Sequence, residues 1–144
     1  MSNAKDNAGL CVLVVEDEDL MRRFLHKLLE EGGYSVIETK TAAGALERAR
    51  SATPDLILMD YVLPDMKGLR LLEAIRSQTP LARVPIICLT DRNDIPTKRE
   101  ALENGAVDYV TKPFDRRELL ARISRHIQLK DQIKETETRL AQAA

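Results

Sequence analysis

Five short apolar runs punctuate the chain: CVLVV at 11–15, YSVIE at 34–38, DLILM at 55–59, PIICL at 85–89 and AVDYV at 106–110. At least three are almost continuously apolar, the pattern of strands covered on both faces in a parallel sheet. Between the runs, apolar residues recur at helical spacing. Leu20, Phe24, Leu25, Leu28 and Leu29 predict one stripe, Ala42, Ala45, Leu46 and Ala49 a second, and Leu69, Leu72 and Ile75 a third. Ala101 and Leu102 mark a short fourth helix, and Leu119, Leu120, Ile123 and Ile127 a fifth. Gly32-Gly33 and Gly105 stand where helices should stop.

Strand and helix alternate five times with short links. That predicts an α/β fold, a doubly wound five-stranded parallel sheet with five helices. Right-handed crossovers and the chain length favour strand order 2-1-3-4-5. The last helical pattern runs on through QLKDQIKETETRLAQAA, well past what the core needs, with polar residues in the majority. Leu119, His126, Ile133 and Leu140 recur every seven residues, with Leu129 and Thr136 at the intervening seam positions. Two of these six are polar, so the heptad is weak, and a frayed surface helix explains it equally well.

Composition narrows the function classes. A chain of 144 residues is the size of one domain. The expected division is 1–8 as an expression remnant (Met1-Ser2-Asn3-Ala4) and disordered start, 9–128 as the globular domain, and 129–144 as a helical tail. A net charge of −1 gives no global field that would draw nucleic acid or an anionic membrane. No apolar run is long enough to span a bilayer and no signal peptide opens the chain, so a cytoplasmic location is expected. Cys11 and Cys88 lie inside apolar runs and read as reduced, buried small hydrophobes; no Cys/His spacing points to zinc. His26 and His126 fall in helices, where a surface or structural role is expected for each.

In a sheet of this kind ligands bind beyond the carboxyl ends of the strands, near the point where the strand order reverses. Reading those ends gives Glu16-Asp17-Glu18-Asp19 after the first run, Asp60 after the third, Thr90 after the fourth and Lys112-Pro113 after the fifth. Taken singly, each has a plain structural explanation. Asp17 or Asp19 caps the first helix, Asp60 satisfies a turn, Thr90 is a loop hydroxyl and Lys112 a solvated charge. Taken jointly they converge on one edge of one sheet. Clustered carboxylates repel and need a cation to stay ionised together. Oxygen ligands with room for water suit Mg²⁺. A hydroxyl and an ammonium opposite that metal suit the oxygens of a phosphoryl group.

Four landmarks, VVEDED, LILMDYVLPDMKGL, CLTD and DYVTKPF, occur in order, each at the end of its own predicted strand. With them the sequence resembles the receiver domain of two-component response regulators from about Leu10 to Gln128. That family's flavodoxin-like fold has the strand order already expected here, so the two are not independent. The resemblance implies that Asp60 accepts a phosphoryl group from phosphohistidine on a histidine kinase or phosphotransfer protein. It implies Mg²⁺ held by Glu16, Asp17, Asp60 and the backbone carbonyl of Val62. Lys112 would pair with the phosphoryl group, Thr90 would be the switch hydroxyl, Tyr109 the aromatic switch residue, and Lys112-Pro113 a cis bond. The output would pass to a missing output domain or a downstream protein through the face formed by helix four, strand five and helix five. If the heptad is real, the tail is a linker that supports a parallel homodimer.

Competing classes are less consistent with the residues. An aspartyl phosphohydrolase usually carries a second carboxylate two residues past its nucleophile, where this chain has Val62. A degenerate receiver that only binds protein would not need Glu16, Asp17, Asp60, Thr90 and Lys112 intact. A nucleotide-binding Rossmann domain would carry a glycine-rich loop after strand one, and no DNA-binding motif is visible. The receiver of a hybrid kinase, or one that stands alone, fits as well as a regulator fragment. One departure from the family stands out: the residue after the switch hydroxyl is usually small, and here it is Asp91, followed by Arg92. A carboxylate at this lip should slow an anionic phosphodonor, or pair with Arg92 or Lys112, unless it turns outward to cap the fourth helix.

Overall fold

The computed structural model describes Asn7, residues 9–91 and residues 93–143. Residues 1–4, expected to be an expression remnant, most of the expected disordered start and Arg92 lie outside the described residues. In chain order the elements are β1 (Cys11–Val15), α1 (Asp19–Glu31), β2 (Ser35–Thr39), α2 (Ala42–Ala52), β3 (Leu56–Asp60), α3 (Gly68–Arg76), β4 (Ile86–Thr90), α4 (Ile95–Glu103), β5 (Asp108–Thr111) and α5 (Arg116–Ala143). The strands form one parallel sheet in the order β2-β1-β3-β4-β5, the flavodoxin-like arrangement expected from the sequence.

Alternate residues of the strands feed two apolar layers. Val12 and Val14 of β1, with Leu56 and Leu58 of β3, pack under α1 and α5 through Leu25, Leu28, Leu29, Leu119, Ile123 and Ile127. Leu13 and Val15, with Ile57 and Met59, pack against Ala45, Ala49, Leu71, Leu72 and Ile75 of α2 and α3. Both faces of β3 are therefore buried along its full length. Cys88 is buried in the second layer, and Cys11 is half-buried. Neither forms a disulfide.

Several boundaries move from those read in the sequence. The β2, β3 and β4 runs end one residue later than expected, at Thr39, Asp60 and Thr90. The reason at β3 is the ladder itself: Asp60 pairs with Leu89, and the Tyr61 amide still donates to Leu89 O at 2.9 Å. Asp60 is thus the last residue of the strand, held by sheet hydrogen bonds. β5 starts at Asp108 because Gly105, at φ +112°, turns the chain and Ala106 N bonds back to Ala101 O. Asn7 is buried and donates from its amide to Gly32 O at 2.6 Å.

The helical stripes also need correction. Leu20 and Phe24 are 72% and 42% exposed, so the core face of α1 is made by Leu25, Leu28 and Leu29. Arg22, one turn before Leu25 and two before Leu29, takes the inward position that Leu20 and Phe24 do not. On α4, Ala101 is buried and Leu102 stays exposed. In α5 the expected heptad seam is partly consumed by the domain. Leu119 is in the core, and His126 Nε2 lies 3.1 Å from Asp108 Oδ2. Past Ile127, Lys130 pairs with Asp55 and Glu137 with Arg83, so this face keeps turning toward the domain. At 3.6 residues per turn, Leu129, Ile133, Thr136 and Leu140 form a row roughly a quarter turn from that face, and the three aliphatic ones are exposed. Among the described residues no helix is long and apolar enough to cross a membrane.

His26 joins α1 to β2. Its Nδ1 lies 2.9 Å from Glu38 Oε2, and its Nε2 lies 3.3 Å from Glu30. Arg22 faces the other oxygen of Glu38 at 3.7 Å. The Glu38 hydrogen bond raises the imidazole above its ordinary value, partial burial opposes this, and Glu30 adds to the rise. A raised folded-state value means the protonated ring stabilises the fold below the unfolded value and loses this effect as pH rises through the folded one. His26→Gln should therefore lower the urea midpoint at about pH 5.5 more than at about pH 8.5, on either side of the ordinary imidazole value. Equal losses at both pH values would contradict the assignment.

Candidate functional site

The carboxyl ends of β1, β3, β4 and β5 place every polar group picked out at those ends along one edge. Glu16 leaves β1 with its amide still bonded to Thr39 O at 3.1 Å, and its side chain is 1% exposed. Asp60 closes β3 and is 9% exposed. Lys112 leaves β5 with its amide donating to Thr90 O at 2.7 Å, which ties the ends of β4 and β5 together. The Lys112 ammonium then reaches across the edge, donating to Glu16 Oε1 at 2.8 Å and to Asp60 Oδ2 at 3.1 Å. The Lys112-Pro113 bond is cis, as the resemblance implied.

The remaining carboxylate lone pairs are partly satisfied by local backbone. Glu16 Oε2 accepts from Glu18 N at 3.3 Å, and Asp60 Oδ1 accepts from Val62 N at 2.9 Å. Asp17 stays exposed at the mouth of the site. Carboxylate oxygens of Glu16, Asp17 and Asp60 lie within 4.8 Å of one another. Burial pushes Glu16 up, to about 7, against the pull of Lys112, and the charge of Asp60 adds to the rise. Burial lowers Lys112, but its hydrogen bond to Glu16 and the charge of Asp60 more than offset this and hold it above the ordinary lysine value. Three carboxylates facing one ammonium leave an excess of negative charge with oxygen-only donors and one open side. That donor set fits a hard divalent cation that keeps some of its water, such as Mg²⁺.

The flanking residues fall into place around this centre. Thr90 is buried at the end of β4 beside Lys112. Val62 is 57% exposed in the loop after β3, and that loop is closed by a Val62–Lys67 bridge. Tyr109 is buried, with its ring edge-on to that of Tyr61 at 6.4 Å. Asp91 is exposed and Lys112 is committed to Glu16 and Asp60, so of the alternatives offered for Asp91 the pair with Lys112 is not formed. Nor does Asp91 cap the fourth helix: Asp94 does, its carboxylate accepting from Thr97 N at 2.8 Å. Three supporting residues escaped the sequence reading. Arg22 donates to Glu16 O at 3.1 Å. Tyr61 donates through its hydroxyl to Glu100 of α4 at 2.5 Å. Asp65 accepts from Ala42 N and Ala43 N at 2.9 and 3.2 Å, fastening the β3–α3 loop to the start of α2. Only Arg22 left a trace in the sequence, as a charged residue on the inward face of an otherwise apolar stripe.

Residues 12–124 match the response regulator receiver domain family. The chain belongs to that family. Among relatives, the transcriptional regulatory protein KdpE of Mycobacterium tuberculosis H37Rv is 44% identical over 112 residues, covering 78% of this chain and 48% of KdpE. Hybrid signal transduction histidine kinase D of Dictyostelium discoideum is 40% identical over 112 residues, 78% of this chain and 7% of that protein. The chain thus spans about half the length of the transcriptional regulators it matches. Among solved structures, the receiver domain of a sensor histidine kinase from Pseudomonas aeruginosa, with magnesium coordinated in its active-site cleft, superposes with a TM-score of 0.78. That match is 35% identical and covers 84% of this chain and 99% of the other. This receiver domain is accordingly a signalling domain of two-component systems.

Proposed function

We propose that Asp60 is the phosphoacceptor of this receiver and that Glu16, Asp17, Asp60 and the Val62 carbonyl hold Mg²⁺ beside it. The observation that supports this most is the Lys112 ammonium shared between Asp60 and Glu16 at an open strand end. In the proposed transfer an Asp60 carboxylate oxygen forms a bond to phosphorus while the phosphorus–nitrogen bond of phosphohistidine on a kinase or phosphotransfer protein breaks. The imidazole leaves with the electron pair and takes a proton. Bound Mg²⁺ would supply charge neutralisation for the phosphoryl oxygens. Lys112 keeps its place and exchanges the lost Asp60 carboxylate charge for that of the phosphoryl group. Thr90, at the neighbouring strand end, offers its hydroxyl to the same group. The added charge, about −1.5 to −2, then biases Tyr109 and the α4–β5–α5 face toward a second arrangement.

Leu20 and Phe24, exposed on the first turns of α1, fit the same reading. Phe24 meets Phe114, two residues past Lys112, at 6.1 Å between ring centroids. An apolar strip beside the site suits the phosphohistidine-bearing helices of a kinase or phosphotransfer partner. In this reading the chain is itself the acceptor of the phosphoryl group, and Val62 stands where an aspartyl phosphohydrolase carries its acid–base carboxylate. Residues 9–128 form the receiver unit. The relatives of twice this span are transcriptional regulators by name, so 129–144 is proposed as a helical connection to an output region, and the location as cytoplasmic.

Incubation with a small acyl-phosphate donor and Mg²⁺ should add one phosphoryl mass to the intact chain. Asp60→Asn and chelation of the metal should each abolish the addition; incorporation that persists in the Asn variant would sink the assignment. Asp91, exposed at the lip, should repel such donors, so Asp91→Ala should load roughly twofold faster at low ionic strength, with the gain fading as salt rises. Identical rates across salt concentrations would make Asp91 a bystander. For the tail, the outward row of Leu129, Ile133, Thr136 and Leu140 follows coiled-coil spacing and supports a parallel homodimer. Sedimentation should show a dimer for the full chain and a monomer for one ending at Gln128, and two monomers would refute the seam.

A further inference from the structure

Arg22 is 8% exposed, and each part of its guanidinium holds a different segment. Nη1 donates to the backbone carbonyl of Glu16 at 3.1 Å. Nη2 pairs with Asp19 Oδ1 at 2.5 Å. Nε faces Glu38 Oε1 of β2 at 3.7 Å. Glu16 and Asp19 bracket the short loop that carries Asp17. The loop is also held by Glu18 N donating to Glu16 Oε2 at 3.3 Å, by Arg22 N donating to Glu18 O at 2.9 Å and by Lys40 facing Asp19 at 3.7 Å, but none of these contacts spans both of its ends. The N-cap of α1 is Glu18, and it makes no side-chain capping bond. Burying an arginine is costly unless the charge is paired; here Asp19 and Glu38 pair it, and its two terminal nitrogens reach the two ends of one loop.

We propose that Arg22 is a positioning residue for the cation site: its planar fork braces the Glu16–Asp19 loop so that the Asp17 carboxylate stays within reach of Glu16 and Asp60. This rests on the reading of Glu16, Asp17 and Asp60 as the Mg²⁺ ligands. Bracing and charge have opposite signs here, which makes the role separable. As a nearby positive charge Arg22 repels a divalent cation, so its removal alone would tighten binding. As a brace it holds the ligands together, so its removal loosens binding. Lysine keeps the charge but presents one point donor and cannot span both ends of the loop as the fork does.

The test is an NMR titration of the full chain with MgCl₂, following backbone amides, for wild type, Arg22→Met, Arg22→Lys and Asp17→Asn, with a thermal melt of each. Both Arg22 variants should bind Mg²⁺ about tenfold more weakly, at the low end of what loss of a supporting shell around a metal site costs. Should Arg22→Met fold poorly, the lysine variant carries the test, since it keeps the buried charge. Tighter binding by Arg22→Met with unchanged binding by Arg22→Lys would show a charge effect only and overturn the proposal. Lower melting temperatures with unchanged Mg²⁺ affinity in both would show a packing role only and also overturn it. Wild type that binds no Mg²⁺, or binds it as well when Asp17 is Asn, would overturn the ligand reading itself and this inference with it.

Discussion

One ammonium group governs this edge of the sheet. Lys112 Nζ sits between Glu16 and Asp60, 2.8 and 3.1 Å from their oxygens, on side chains that are almost wholly withdrawn from water. Two carboxylates this buried and this close cannot both ionise without a cation beside them. The lysine supplies one charge, and the third carboxylate, Asp17, leaves the site short of another. Most features of the site follow from that imbalance. The strand ends fix the donors so that they cannot spread apart, the loops leave one side open, and the all-oxygen donor set suits a hard divalent ion.

The same crowding links the site to the far side of the domain. Asp60 and Tyr61 are consecutive, and the Tyr61 hydroxyl is bonded to Glu100 on α4 while its ring lies against Tyr109 on β5. Gly68, the first residue of α3, lets this happen, because a Cβ there would fall 2.4 Å from Tyr61 O and 2.5 Å from its ring. A change at the end of β3 therefore bears directly on two elements of the proposed output face, without an intervening loop. Asp65 fixes the other side of the β3–α3 loop to α2. Movement after phosphorylation would accordingly be directed toward α4 and β5 rather than spread through the loop.

Much of this was legible in the sequence because the signals are local. Continuous apolar runs mark strands buried on both faces, and the residue that ends each run marks the edge where ligands bind. Asp60, Lys112 and the acidic pair were found that way. What was lost depends on contacts distant in sequence. Periodicity alone gave Leu20 and Phe24 to the core, although Arg22 takes the inward position at that end of α1. Tyr61–Glu100 and Asp65–Ala42 join segments 39 and 23 residues apart, with no spacing to betray them. The strand ends were missed by one residue because the ladder bond from Tyr61 N to Leu89 O belongs to two strands at once. The heptad in α5 was read as one seam, whereas its first positions, Leu119 and His126, turn into the domain.

The most direct measurement is chemical mapping of the phosphoryl group. After loading with a small acyl-phosphate donor, borohydride reduction converts an aspartyl phosphate to homoserine, which peptide mass spectrometry locates by position. Reduction at position 60 alone is expected. Reduction at Asp17 or another carboxylate, or a phosphorylated chain with no reducible aspartate, would contradict the proposed site.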